Sequence, residues 1–586
     1  MRPSIKWFAI GMVLSTTLVG YAHAACKVVP GTAGWPSIQE WSVFNKTLGG
    51  VLLKPPPPGG VCHPGEPNFD AALCPIVTAL WNSSFNFHED DPISNAFNNW
   101  NNDSCLPYPQ DSCSGEGYPI YVVNATKPEH VQKAITFAGE NNIRLNVKCS
   151  GHDYLGRSVA PNSLSIWVHH MQGIQLHKSF TPRGGGKDCD CIPDGLNASG
   201  PAITFQAGDN NGAVYAAAST MGMAVPVTGG PEVCYGGYVT GAGHSILGAR
   251  YGLAADLVLE LTVVTPDGKI LVANACQNQD LFWALRGGGG ATFGVIVSFT
   301  LALYPDEPTS LVQAGIVTLV NNSAHFYEAA AWAFSQYPAI VDAGWAGYGE
   351  IAPSNTPVPG IGSSFGVDWF GFGRPEAQII EFITGLATYI NETWPGEFEP
   401  YLGTTVNFSS FYAFWGPNTD TGSPVGVDLV VGSRLLDKTA IDNPNLSSYL
   451  ERAIGPGGGL MQNMIGGPGV HSKSLSLNAV CPAWRMAYSH SVTGAGWAPF
   501  DTAAKTKQLN QLNGYLEALT ELAPNTGAYV NEADPFETNY HEVFWGSNYP
   551  RLLSIKKAVD PHDVFWCRAC VGNEGWQEVG DQLCQV

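Results

Sequence analysis

The chain is poor in charge. Only 13% of its 586 residues are Asp, Glu, Lys or Arg, about half the share of an ordinary globular chain. With 45% hydrophobic and 11% aromatic residues, this composition excludes a disordered polymer, which needs low hydrophobicity and high charge. Basic residues are scarcest: 28 Lys and Arg stand against 49 Asp and Glu, a formal net charge of −21. Nucleic-acid affinity is built on cations that neutralise phosphates, so a nucleic-acid partner is excluded.

Long apolar runs are also missing beyond the N-terminus. No later stretch reaches the roughly 18 uninterrupted apolar residues a membrane-spanning helix requires, and Gln582 to Val586 offers no hydrophobic tail for a lipid anchor. The first 24 residues carry Arg2 and Lys6, an apolar run from Trp7 to Val19, and Ala22-His23-Ala24, the small-x-small form of a signal-peptidase site. Residues 1–24 therefore read as a signal peptide, and the protein as secreted and extracellular, with no membrane partner. Nine Asn-x-Ser/Thr sequons, at Asn45, Asn82, Asn102, Asn124, Asn197, Asn321, Asn391, Asn407 and Asn445, agree with export and make N-linked glycans expected partners.

Fourteen cysteines in an oxidising compartment point to disulfides before metal ligands, and no metal is expected. Cys26, Cys62, Cys74, Cys105 and Cys113 fall in a Pro- and Asn-rich stretch without clear periodicity, so cross-links are expected to hold residues 25–115 against the main body. Cys567-x-x-Cys570 would suit a redox or zinc motif, but it lacks a second ligand pair.

From Tyr118 the pattern changes. Tyr118 to Val123 reads as a strand, Pro128 to Asn141 as a helix with Val131, Ala134, Ile135 and Ala138 on one face, and Arg144 to Val147 as a second strand. That strand runs into Lys148-Cys149-Ser150-Gly151-His152-Asp153-Tyr154-Leu155-Gly156-Arg157-Ser158, a turn of small residues whose amides suit an anion. It is neither a Walker loop nor a Gly-x-Gly-x-x-Gly fingerprint. A denser glycine region follows: Gly229-Gly230-Pro231-Glu232-Val233-Cys234-Tyr235-Gly236-Gly237, then Gly241-Ala242-Gly243-His244 and Tyr251-Gly252-Leu253-Ala254-Ala255-Asp256. Glycine this dense implies close backbone approach to something flat or charged. Val258 to Val264, the turn Thr265 to Lys269, and Ile270 to Ala273 read as a hairpin. A short helix near Asp280, the turn Arg286 to Gly290 and an apolar strand through Gly294-Val295-Ile296 complete this part.

These ordered motifs, together with Trp545-Gly546-Ser547-Asn548-Tyr549-Pro550-Arg551-Leu552 and Asp560-Pro561, resemble the berberine bridge enzyme-like FAD-linked oxidases of the vanillyl-alcohol oxidase fold, especially secreted fungal members of the isoamyl alcohol oxidase kind. The resemblance runs from about Tyr118 to Pro305 and from about Ala528 to Trp576. It implies an α+β protein: a two-part FAD-binding domain of the vanillyl-alcohol oxidase (PCMH) type, and an α+β substrate domain whose antiparallel sheet lies over the flavin. The expected division is an extension over 25–115, the first FAD-binding part over 116–310, the substrate domain over 311–500, and a return to the FAD-binding domain over 501–586.

By resemblance His152 falls on the histidine that bonds the flavin covalently, within a cofactor loop of Cys149, Ser150, Gly151, Asp153, Tyr154 and Ser158. Gly230, Gly236, Gly237, Gly241, His244, Gly294, Val295, Ile296 and Asn531 are further expected FAD neighbours. Relatives often carry a second bond from a cysteine; here glycine occupies the aligned position and Cys234 lies four residues on, so attachment is through His152 alone unless the loop takes another path to Cys234. Val233 matches the position where a small side chain admits O2, which implies an oxidase releasing hydrogen peroxide. The base is Tyr529 or, if burial raises its pKa, Glu532, in Tyr529-Val530-Asn531-Glu532; Glu532 is equally read as pairing with an arginine to hold the loop. Arg551 and Lys556 read as stabilising ions or flavin neighbours. His471, Trp484, Arg485 and His490 are pocket candidates by domain alone, and the aromatics of Trp369 to Phe372 and Phe411 to Trp415 read as core. The implied function is oxidation of an alcohol, carbohydrate or phenolic metabolite; the alternatives are a dehydrogenase with another acceptor, or a flavin-bearing binding protein without turnover.

Overall fold

Pro128 opens a helix where its fixed φ costs nothing, and the helix runs to Glu140, burying His130, Val131, Ala134, Ile135 and Ala138 along one stripe. It links strands Tyr121–Asn124 and Leu145–Lys148, which both pair in parallel with Leu164–Trp167 between them. Leu52–Leu53 adds an antiparallel edge to this four-stranded sheet. The computed structural model describes residues 26–185, 192–193, 196, 199–319, 323–353, 362–416, 423–455 and 458–586. The expected signal peptide over residues 1–24, Cys189, Cys191 and the sequons Asn197 and Asn321 lie outside these. No described helix is long and apolar enough to cross a membrane.

A second sheet of five antiparallel strands follows, in the order Gln175–His177, Ala202–Gln206, Val295–Ala302, Val258–Val264 and Ile270–Asn274. The hairpin is turned at Gly268, whose φ of +75° other residues rarely adopt. Apolar side chains of both sheets share one core, which also receives Val543, Phe544, Trp545, Leu552 and Phe565 from the C-terminal segment. The chain thus returns to its first module, as the α+β two-part architecture requires.

The second module is a seven-stranded antiparallel sheet, in the order Phe398–Phe408, Thr309–Thr318, Ser364–Phe372, Trp345–Ala352, Leu460–Met464, Ala487–Trp497 and Asp428–Asp437. Alternation along its strands divides the two faces. Val312, Ala314, Val367 and Trp369 pack with the helices Phe326–Asp342, Glu376–Thr393 and Leu446–Ile454, whereas Leu311, Gln313, Asp368 and Phe370 face a cavity against the first module. One boundary shifts: helix Thr502–Leu522 buries Ala518, Leu519 and Leu522 in this second core, so the return to the first module begins after it.

The expectation for the N-terminal cysteines is corrected. Cys62–Cys74 and Cys105–Cys113 close loops within the extension, and only Cys26–Cys584 reaches the distant C-terminus. The extension is held to the body by packing, with Ala96, Phe97 and Trp100 against Val159 and Tyr154, and by buried Lys148. Its ammonium donates to the carbonyls of His88, Glu89 and Asp91 at 3.0, 3.1 and 2.8 Å. Cys567 and Cys570 are bonded to each other.

Candidate active site

Between the modules lies a cavity of about 970 Å³, at the upper end of small-molecule sites. Its floor is the loop after strand Leu145–Lys148. Gly151 has φ +91°, and a Cβ there would press on Asn95, Lys148 and Ser94 at 3.2 Å, so the turn that presents His152 needs glycine. Cys149, Ser150, Asp153, Tyr154 and Ser158 line the cavity with it. Asp153 accepts from Arg157 Nε at 2.9 Å, and Arg157 Nη2 reaches Asn531 Oδ1 at 3.0 Å, which locks this loop to the C-terminal segment.

His152 stacks on Phe85 of the extension, with ring centroids 4.1 Å apart. Its Nε2 is 2.9 Å from Glu232 Oε1 but without hydrogen-bond alignment, so this buried nitrogen has no hydrogen-bond partner. Gly236 and Gly237 border the cavity with open space where a side chain would stand. A half-buried imidazole whose inward nitrogen makes no hydrogen bond, and a bare glycine wall, fit a flat cofactor such as FAD. Gly230, Val233, Gly294, Val295 and Ile296 line the same space. Gly241 does not: a Cβ there would meet the Asn531 amide at 2.2 Å, so this glycine serves close packing beside the cavity.

Cys234, the open alternative for a second flavin bond, has its sulfur bonded to Cys149, so no thiol is available there, and the two cofactor loops are joined instead.

The opposite wall carries a polar row. Gln313 stands opposite Asp368, Asp368 opposite Tyr348, Tyr348 opposite Asn463, and Asn463 opposite His490. Gln313 donates to Asp368 at 3.0 Å, and burial raises the Asp368 carboxyl. At the end of this row His490 is fully buried and neither ring nitrogen is hydrogen-bonded; burial pushes its pKa down to about 3. Its Nδ1 lies 3.7 Å from Glu532 Oε2, and His244 Nε2 lies 3.0 Å from Glu532 Oε1. Tyr348 OH is 3.4 Å from the other His244 nitrogen.

Burial alone would raise the Glu532 carboxyl, but the adjacent His244 and His490 imidazoles outweigh it and hold it below the usual carboxylate range. The condition set for Glu532 as base, a pKa raised by burial, is therefore not met, and its partners are histidines, not an arginine. Burial drives the Tyr529 phenol the other way, well above its ordinary range; its oxygen accepts from Asn531 Nδ2 at 2.9 Å. The site thus holds a carboxylate and a neutral phenol side by side.

Of the four pocket candidates named by domain, only His490 reaches this cluster directly, with Trp484 packed at 5.8 Å between ring centroids. His471 Nε2 instead contacts the Ala487 carbonyl at 2.8 Å, and Arg485 forms a buried pair with Asp256 at 2.7 and 2.9 Å. Arg551 pairs with Asp280, and Lys556 is buried on Asp560 and the carbonyls of Thr292 and Phe565; both act away from the cavity. Phe370, Phe414 and Trp415 are buried core and cavity wall at once. Phe85, Glu232 and Tyr348 also line the cavity, and nothing local in the sequence marks them except that Glu232 stands beside Val233.

Residues 119–274 match the family described as FAD binding domain, and residues 528–572 that described as berberine and berberine like. Over 603 aligned residues the chain is 33% identical to an uncharacterised FAD-linked oxidoreductase of Arthroderma benhamiae, covering 97% of this chain and 98% of that protein. It is 31% identical to a VAO-type flavoprotein oxidase of Thermothelomyces thermophilus, with 98% and 99% covered. A crystal structure of a VAO-type flavoprotein from Myceliophthora thermophila C1 superposes with a TM-score of 0.88 at 28% identity, over 96% of this chain and 100% of the other.

Proposed function

The chain belongs to the berberine bridge enzyme-like FAD-linked oxidoreductases of the vanillyl-alcohol oxidase type, and from that premise we propose that it is a secreted oxidase with FAD bound covalently through His152 alone. Its substrate is the hydroxyl-bearing carbon of an alcohol, a carbohydrate or a phenolic metabolite, and its second product is hydrogen peroxide. FAD supplies hydride acceptance and electron delivery to O2.

The observation that carries this reading is the placement of His152 and the Glu532–His244 pair on one glycine-walled cavity. Glu532 is the base: an ionised carboxylate takes the substrate hydroxyl proton, and a proton on His244 Nε2 keeps one of its oxygens oriented. Tyr529, with its phenol proton retained, donates to the substrate oxygen or to the carboxylate. Asn531 places Tyr529 against the glycine wall, since its amide holds the Tyr529 oxygen and the Gly237 carbonyl at 2.9 Å each. The polar row on the opposite sheet positions the remainder of the substrate, and the small Val233 side chain leaves room for O2.

The test is the absorbance of purified protein before and after acid precipitation, followed by a peroxide-release screen of alcohols, sugars and phenols. A yellow pellet with peroxide release supports the reading. A yellow supernatant over a colourless pellet removes the covalent bond, and a covalent flavin reoxidised only by artificial acceptors turns the oxidase into a dehydrogenase.

A further inference from the structure

We propose that His244, His490 and Glu532 form a three-ligand site for one divalent ion of the zinc, copper or nickel class, open towards the active-site cavity. One donor atom from each residue lies within 4.8 Å of the others. Metal–ligand bonds of about 2.0 to 2.2 Å in a tetrahedral site set neighbouring ligands about 3.4 Å apart, and the contacts of 3.0 Å from His244 and 3.7 Å from His490 to the two Glu532 oxygens bracket that spacing. Little movement is needed to close around an ion.

A second observation points the same way. His490 is completely buried, yet neither of its nitrogens has a hydrogen-bond partner. A buried polar atom left unmet is costly, and an ion at Nδ1 meets it. On the other side, Tyr348 sits at 3.4 Å from His244 Nδ1, the outer contact that orients a ligating imidazole so that Nε2 faces the carboxylate. Two imidazoles and one carboxylate select borderline transition ions over magnesium and calcium, which take oxygen ligands. Three protein ligands leave the fourth position open to the cavity, whose wall also carries Glu350, Asp368 and Glu232 and so attracts cations. The three ligands come from a glycine loop, a strand of the seven-stranded sheet and a C-terminal turn, so no sequence spacing announces them.

The functional consequence rests on the proposed role of Glu532. An ion on its oxygens and the substrate proton compete for the same lone pairs, so the bound ion stops turnover.

The experiment is calorimetric titration of chelator-treated, flavin-loaded protein with zinc chloride, with magnesium chloride as the hard-ion comparison. The expected result is one zinc ion per chain and no comparable magnesium binding, with affinity lowered by at least about tenfold in His490→Ala and in His244→Ala. Glu532→Gln, a near-isosteric change, gives the same answer if the buried His490 variant fails to fold; retained flavin absorbance marks the folded variants. Absence of stoichiometric zinc binding, or zinc affinity unchanged across the variants, overturns the site. Zinc bound through these residues without loss of peroxide release keeps the site and overturns Glu532 as the base.

Discussion

Cys149 is disulfide-bonded to Cys234, and that bond ties the loop carrying His152 to the loop carrying Glu232 and Val233. Two segments separated by 85 residues in the chain are thereby held as one wall of the cavity. Its effect is positional, since neither sulfur is free to bond a cofactor.

Cys234→Ala should therefore leave the absorbance spectrum of acid-precipitated flavin unchanged, while lowering stability by about 2 to 4 kcal/mol, the usual worth of a disulfide. Thermal unfolding and the spectrum of the denatured protein are the two readouts. A spectrum that changes on this substitution would show a second covalent bond in the wild type, and a loop arrangement unlike the one described.

Glu532 and Tyr529 can be separated by their ionisation. With the carboxylate as base, Glu532→Gln should cut kcat by about 10² to 10⁴ with flavin still bound, while Tyr529→Phe, which removes a donor from a group that stays protonated, should cost less. Steady-state peroxide release by the two purified variants decides it. The reverse ranking assigns the base to Tyr529.

Much of the first module was legible because its signals are local. The helix from Pro128, the hairpin around Gly268 and the turn at His152 are written in short spacings that period and turn chemistry translate directly. The site itself was legible only where it lies on those turns. Glu532 meets His490 where a C-terminal turn packs on a sheet whose strand order follows no sequence rule, and the partner of Cys234 lies three residues before His152 with nothing in the spacing to say so. The N-terminal cysteines show the same limit: five of them in a stretch without periodicity imply disulfides but not their partners, and the tie to the body comes from Phe97, Trp100 and the buried Lys148 as well as from Cys26. Phe85 reaches His152 only because that extension folds back.

Arg485, read at first as a pocket residue, makes a stability prediction instead. Its guanidinium and the Asp256 carboxylate are both buried, and Asn478 Nδ2 and the Leu253 amide also donate to that carboxylate, at 2.7 and 2.9 Å. Breaking such a pair leaves one uncompensated buried charge, which costs about 3 to 5 kcal/mol. Arg485→Met should lower the unfolding free energy by that amount, and Arg485→Met with Asp256→Asn should recover part of it. A single variant as stable as wild type would mean the pair is solvated.

Asp103 and Asp428 face each other where the N-terminal extension meets the edge strand Asp428–Asp437. Burial raises both carboxyls; for Asp428 the Asp103 charge adds to burial and pushes its pKa up to about 8. An unfolded aspartate titrates near about 3.9. Between those values the folded chain holds a proton that the unfolded chain has lost, so stability falls as pH rises from about 4 to about 8 and is greatest on the acid side of that window. Asp428→Asn cannot lose that proton. Its thermal midpoint should come nearest that of wild type near about pH 4 and exceed it by a growing margin towards about pH 8, because the wild type folds only by holding, or by burying without, a proton that the unfolded aspartate has lost. The measurement is thermal unfolding of both proteins across this range in one buffer system. Parallel profiles would mean that the pair opens to water, and that the extension is held at this edge by Ala96, Phe97 and Trp100 alone.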